Sequence, residues 1–243
     1  MSFYDELSKV YDVLFPEDEV TSDFLESRSK VDYKVLDIAC GTGSYAKKVA
    51  LTSMHVDGID LDNNMIKLAK EGLSLKNVEF YQGDMTKIKE LFEKESYGLV
   101  YCIGNSIVHL ENISLIERLF EDVYNLLIKD GTFIVQIINF DSIIEKGYKK
   151  LPQLENEEKK VKFQREYKYK KEDNIMEFET DLAIKEKEVI RHYYNKIPLV
   201  PLKRQELLEL YLKVGFKDIK LYGDFNLESF IEPSTYLVIE GTK

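Results

Sequence analysis

Three acids and two glycines are spaced for nucleoside chemistry. Asp37 lies in Val35-Leu36-Asp37-Ile38-Ala39-Cys40-Gly41-Thr42-Gly43, Asp60 in VDGIDLDNNMI and Asp84 in YQGDM. A turn built on Gly41 and Gly43 lets backbone approach a ligand and aims the first N–H groups of a following helix at it, as a nucleotide-type cofactor requires. Asp60 follows Gly43 by seventeen residues, the right interval for a carboxylate that accepts both hydroxyl protons of a ribose. Asp84 falls where the base would extend, with Leu61 and Met85 as apolar plates for it. An NAD site would use Asp60 in the same way, and the glycines alone are also explained by a tight strand-to-helix connection.

Two further stretches bear chemistry. In Tyr101-Cys102-Ile103-Gly104-Asn105-Ser106-Ile107-Val108-His109-Leu110, Asn105 and His109 are positioned to contact a substrate, or to cap a turn and hydrogen-bond locally. Residues 159–171 hold seven basic side chains with Phe163, Tyr167 and Tyr169 between them, a composition that suits a nucleic-acid strand. Strand periodicity gives another account. Val161, Phe163, Tyr167 and Tyr169 share one face, and a hairpin about Glu172-Asp173 pairs them with Ile184, Leu182, Phe178 and Met176. The outer lysines then face acids, and the hairpin is favoured over nucleic-acid binding. This register puts Arg165 on the apolar face opposite Thr180, where a guanidinium needs an anion or water.

Positioning these groups takes a parallel sheet flanked by helices. Strands are expected at 34–39, 54–59, 77–82, 97–102 and 131–138, with the clearest helix at 113–128. That helix is expected to end at Lys129-Asp130-Gly131, with the glycine as a left-handed stop. Antiparallel strands occupy 159–197, then a helix stopped by Gly215 leads to KDIKLYG and TYLVIEGT. Two helices, Ser2 to Leu14 and Asp18 to Ser29, come first. The expected fold is α/β, a Rossmann-like, doubly wound, seven-stranded and mostly parallel sheet. It forms one domain over 1–243, with an N-terminal helical cap at 1–30 and an antiparallel lid at 150–200.

With 243 residues, 44% of them hydrophobic, the chain can bury one sizeable core. Its 34 Lys+Arg against 44 Asp+Glu give a net charge of −10, which repels polyanions on average. The N-terminus lacks an apolar h-region, and no run reaches the roughly 18 to 20 apolar residues of a spanning helix. Cys40 and Cys102 make neither a disulfide framework nor a zinc ligand set, and His55, His109 and His192 are scattered. A cytoplasmic protein with reduced thiols, no metal, and no nucleic-acid or membrane partner is expected.

DIACGTG, GIDLDNNMI and QGDM, in this order and spacing, resemble the class I S-adenosylmethionine-dependent methyltransferases. The resemblance covers about 33–140 and the strands after Lys217. It implies that Asp37 and the Gly41–Gly43 backbone hold the methionine end, Asp60 the ribose and Asp84 the adenine amino group. Tyr11, Ala39, Leu61, Met65, Met85 and the backbone of Cys102, Ile103 and Gly104 complete the implied cofactor contacts. Ala39 stands where many members have glycine. Tyr11 belongs to a tyrosine-bearing N-terminal segment similar to that of related enzymes, with core packing as its other role. Gly104 to Leu110 is similar to the GNS-x-x-HL stretch of glycine N-methyltransferase-like enzymes, which implies catalytic or substrate contacts for Asn105 and His109. In the family, an insertion after the fifth strand covers the substrate side, so Arg165 and Tyr167 are expected to bind the acceptor, unless Arg165 pairs with a core acid.

The acid before the glycines separates this reading from NAD enzymes, whose turn must accommodate a pyrophosphate. Methyl transfer to a small molecule, an amine by in-line attack without metal, is the expected activity. A non-catalytic S-adenosylmethionine-binding module acting through a partner protein and an NAD-dependent oxidoreductase are the alternatives.

Overall fold

Short apolar runs become strands and amphipathic stretches become helices in the computed structural model, which describes residues 3–187 and 189–243. Ser2, the expected start of the first helix, lies outside them. In chain order come α1 (Phe3–Leu14), α2 (Glu19–Glu26), β1 (Lys34–Ile38), α3 (Ser44–Val49), β2 (His55–Asp60), α4 (Asn63–Lys70), β3 (Val78–Gln82), α5 (Ile88–Leu91) and β4 (Tyr97–Cys102). Next are α6 (Ile113–Leu126), β5 (Leu127–Ile138), α7 (Phe140–Lys146), β6 (Tyr148–Lys150), β7 (Leu154–Asn156), β8 (Val161–Lys170), β9 (Ile175–Glu186) and β10 (Val189–Leu199). The last are α8 (Arg204–Val214), β11 (Lys217–Tyr222) and β12 (Tyr236–Thr242). The chain divides into two compact units, one of Glu17–Asn139 with Leu202–Lys243, the other of the segment through Pro16 with Phe140–Pro201.

The larger unit is built on a seven-stranded sheet in the order β11-β12-β5-β4-β1-β2-β3, parallel from β5 to β3 and antiparallel at β12 and β11. This is the Rossmann-like, mostly parallel arrangement expected. Val35, Leu36, Ile38, Leu99 and Val100 are fully buried, as strands covered on both faces require. Helix starts follow side-chain chemistry. Asp18 accepts from Thr21 N at 2.9 Å, Asp62 from Asn64 N at 2.7 Å and Asn112 from Leu115 N at 3.0 Å. Buried Glu240 on β12 accepts from Arg28 Nε at 2.9 Å, Lys220 Nζ at 3.1 Å and Tyr222 Oη at 3.0 Å, fixing the chain after α2 to the sheet.

Gly43 shows why the glycine turn reads as it does. Its φ is +74° and a Cβ there would stand 2.3 Å from Cζ of Phe80, so both conformation and space exclude a side chain. Gly43→Ala is expected to cost about 2–4 kcal/mol from left-handed strain plus overpacking. Urea unfolding measures it; unchanged stability would remove the Phe80 contact as the reason for this glycine.

One sequence expectation fails in this unit. The helix before β5 ends at Leu126 rather than Lys129, and the left-handed residue is Asp130 (φ 61°), not Gly131. Leu127 pairs with Tyr97 of β4, so strand pairing captures the apolar residues that continue the helical pattern. Gly131 is needed for a different reason. A Cβ there would lie 3.0 Å from the Ile128 carbonyl oxygen and 3.1 Å from that of Tyr97.

The smaller unit contains a five-stranded sheet, β10-β9-β8-β6 with β7 also on β8. The hairpin register is the expected one: Tyr169 opposite Met176, Tyr167 opposite Phe178, Arg165 opposite Thr180, Phe163 opposite Leu182 and Val161 opposite Ile184. On the outer face Lys170 pairs with Glu177 at 3.3 Å, Lys168 with Glu179, and Lys196 of β10 with Glu177 at 2.8 Å. The basic row is thereby neutralised along the sheet. Helix α7 and strands β6 and β7 lacked a clear period and were not anticipated. The expected 1–30 cap divides: α1 packs on β7 and β10 of this unit, and α2 on α3 of the larger one.

Candidate functional site

Strands β1 to β4 are parallel, so their carboxyl ends share one edge, and Asp37, Gly41, Asp60, Asp84 and Cys102 lie along it. Backbone bonds lace this edge together. Cys40 N–H donates to the Ile59 carbonyl at 3.0 Å and Gly83 N–H to the Asp60 carbonyl at 2.9 Å. The Asp60 carboxylate is bound to the loop from both sides, Oδ2 accepting from Gly41 N at 2.9 Å and Oδ1 from Asp62 N at 2.8 Å. Burial raises its pKa, and these N–H groups oppose the rise. Each oxygen keeps a further lone pair for a ribose hydroxyl.

Asp37 is 3% exposed, and burial pushes its carboxyl pKa up to about 8. Tyr101 is its register partner across β1 and β4, so the two side chains project from one face of the sheet. The Tyr101 hydroxyl tempers the rise at Asp37, yet it is buried without a partner at close hydrogen-bond distance. Among the described residues no cation contributes to the shift at Asp37, and a buried carboxylate beside an unsatisfied hydroxyl has the chemistry to accept a positively charged polar group. The methionine ammonium of S-adenosylmethionine has that character, so these residues fit that cofactor.

The other positions divide by exposure. Leu61 is 68% exposed at the end of β2, an apolar wall open to a base, whereas Met65 is buried on α4. Asp84 caps a single 3-10 turn starting at Met85, accepting from Thr86 N at 2.8 Å, and both residues are half-buried. Ala39 has φ 60°, the left-handed conformation that explains a glycine preference there. Cys102 is fully buried, Ile103 half-buried and Gly104 exposed with φ +75°, where a Cβ would stand at an ordinary 3.8 Å from Ser106 Oγ. Cys40 is half-buried with its thiol pKa raised by burial. S-adenosylhomocysteine should slow alkylation of Cys40, while Cys102 reacts only on unfolding; equal Cys40 rates with and without ligand would move the site away from this loop.

Beyond β4, Asn105 is buried at φ 65°, with Oδ1 accepting from Ile138 N at 2.9 Å. His109 keeps an exposed edge, and the protein around the rest of the ring lowers its pKa by desolvation. Sequence reasoning missed Gln136, whose Oε1 accepts from Gly104 N at 2.7 Å and pins this loop to β5. A lone amide within the apolar run FIVQII was the available signal. Tyr101 was missed as a partner of Asp37 because only strand register brings the two together.

Three expected contacts lie in the smaller unit. Tyr11 packs on Phe15 with ring centroids 5.0 Å apart and the rings tilted by 39°, among Leu7, Leu14, Val161 and Phe163. Arg165 lies over the Phe15 ring at 5.5 Å and donates to the Pro152 carbonyl at 3.3 Å. Tyr167 is buried and stacked on Phe178 at 4.7 Å.

A family model described as a methyltransferase domain matches residues 29–190. A glycine/sarcosine N-methyltransferase of Aphanothece halophytica is 26% identical over 79% of this chain and 69% of its own length. A phosphoethanolamine N-methyltransferase of Plasmodium falciparum is 29% identical over 55% of this chain and 52% of its own. Among solved structures, an S-adenosylmethionine-dependent methyltransferase from Clostridium acetobutylicum superposes with a TM-score of 0.77 at 17% identity, covering 98% of both chains. That likeness is one of fold.

Proposed function

This chain belongs to the methyltransferase-domain family as a class I S-adenosylmethionine-dependent enzyme, and from that premise we propose that its methyl acceptor is a small-molecule amine. When bound, S-adenosylmethionine supplies an electrophilic methyl group on a sulfonium. In this reading Asp60 accepts from the ribose hydroxyls and Asp84 from the adenine amino group, with Leu61 and Met85 flanking the base. Asp37 and the Tyr101 hydroxyl hold the methionine ammonium, and the Gly41–Gly43 and Cys102–Gly104 backbone lines the rest. The observation that carries this reading is the buried Asp37 beside the unsatisfied Tyr101 hydroxyl.

An amine attacks through its lone pair and needs alignment and deprotonation, not a dedicated strong base. The depressed pKa of His109 suits a neutral imidazole that takes or shares a proton near pH 7. Two of the relatives are named as N-methyltransferases of small amines, which supports the acceptor class. The ion-paired lysines of the hairpin and the net charge of −10 favour a small molecule over nucleic acid. Among the described residues no helix is long and apolar enough to cross a membrane.

Release of S-adenosylhomocysteine across amine, carboxylate and phenol libraries tests the proposal. Amines alone should turn over, and His109→Ala should keep kcat within about tenfold. Turnover restricted to phenols or carboxylates, or a loss of roughly a hundredfold or more in His109→Ala, would replace the amine with an acceptor that needs a base.

A further inference from the structure

The opposite edge of the same sheet, where β1 to β4 begin, carries a second group of polar side chains. His55 and Asp57 are two apart on β2, and Glu79 of β3 is the register partner of Asp57, so all three share one face. One ligand-type atom from each lies within 4.8 Å of the others. Asp57 is buried, His55 half-buried and Glu79 exposed. The histidines look scattered in sequence, and the register reveals His55 beside a pair of acids.

Each carboxylate is oriented by a tyrosine. Tyr97 Oη donates to Asp57 Oδ2 at 2.6 Å, and Tyr81 Oη to Glu79 Oε2 at 2.5 Å. The second oxygen of Asp57, Oδ1, is hydrogen-bonded to His55 Nε2 at 3.0 Å, a contact that an ion would replace. Ligands about 2.1 Å from a tetrahedral zinc stand about 3.4 Å apart, so this pair need open by only about 0.4 Å for an ion to take the place of the shared proton. Outer hydrogen bonds that fix one oxygen of a carboxylate are typical support for metal ligands. A cavity of about 320 Å³ opens over the group, lined also by Lys34, Phe92 and Glu93.

We propose that this cavity binds one divalent transition-metal ion, with zinc as its best fit, through His55, Asp57 and Glu79. One imidazole and two carboxylates make a borderline N/O donor set; magnesium and calcium prefer oxygen alone, and soft ions prefer thiolates. Glu79, being exposed, can close the remaining distance at little cost, and solvent completes the coordination. Asp57 and Asp60 are three residues apart on β2, about 10 Å, so the ion sits away from the cofactor acids. Its effect is structural. It ties β2 to β3 and, through Tyr97, to β4.

The test uses the full chain, freed of metal by a chelator and titrated with Zn²⁺ against a chromophoric competitor. One equivalent should bind, and at a hundredfold excess over Kd should raise Tm by roughly 5 °C. His55→Gln and Glu79→Gln should each weaken zinc at least tenfold while leaving S-adenosylhomocysteine affinity unchanged; Glu79 is exposed, so its variant tests the site without a folding defect. Absence of stoichiometric zinc binding, wild-type zinc affinity in both variants, or preference for Mg²⁺ would overturn the proposal.

Discussion

Asp60→Ala is expected to weaken S-adenosylhomocysteine binding by roughly ten- to a hundredfold, because hydrogen bonds to a charged group contribute about 1.5–3 kcal/mol. The substitution also strips Gly41 and Asp62 of the acceptor for their N–H groups, so Tm of the ligand-free protein should fall by a few degrees. Asp60→Asn separates the two effects: its amide oxygen can serve one N–H, and it should recover more stability than affinity. Calorimetry is the measurement. An unchanged dissociation constant in Asp60→Ala would remove the carboxylate from the ribose site.

A second large effect is expected from pH. The folded-state pKa of Asp37 is raised to about 8 by burial, against about 3.9 in an unfolded chain. Folded protein therefore keeps a proton that unfolded protein releases, and the Asp37 contribution to ligand-free stability declines as pH rises from about 4 to about 8. Ligand binding has the opposite sign. A cationic ammonium favours the ionised carboxylate, so binding displaces the proton, and affinity for S-adenosylhomocysteine should rise at least tenfold between pH 6 and pH 8. Asp37→Asn should bind weakly and without that slope. A flat wild-type profile would show that Asp37 is ionised before the ligand arrives, or that it meets no cation.

Much of this site was legible because parallel strands deliver their ends to one edge, so spacing in sequence becomes proximity in space. Asp37, Gly41, Asp60 and Asp84 follow that rule, and the hairpin was legible from its period of two. Other features depend on long-range register, which no local pattern encodes. Tyr101 beside Asp37 and Glu79 beside Asp57 are of this kind. The end of α6 was misplaced because Leu127 satisfies a helical and a strand pattern equally, and pairing with Tyr97 decides between them. Gly43 reads as a cofactor residue in sequence, although the ring of Phe80 already explains it.

The smaller unit draws on both the start of the chain and a segment inserted after β5, and this has a kinetic consequence. The β8–β9 hairpin closes locally, but α1 meets β7 and β10 only across about 140 intervening residues or more. Closing a loop of that length costs on the order of 4 kcal/mol of chain entropy before any contact is made. During synthesis at about 5–20 residues per second, α1 emerges from the ribosome roughly 10 to 40 s before β10 is complete. Its apolar side chains, Leu7 and Leu14 among them, spend that interval without their strands. In the finished protein α1 lies at the start of the chain and belongs to neither sheet, so its detachment breaks no strand pairing, and native-state hydrogen exchange should show the amides of residues 3–14 losing protection well before those of β1 and β4.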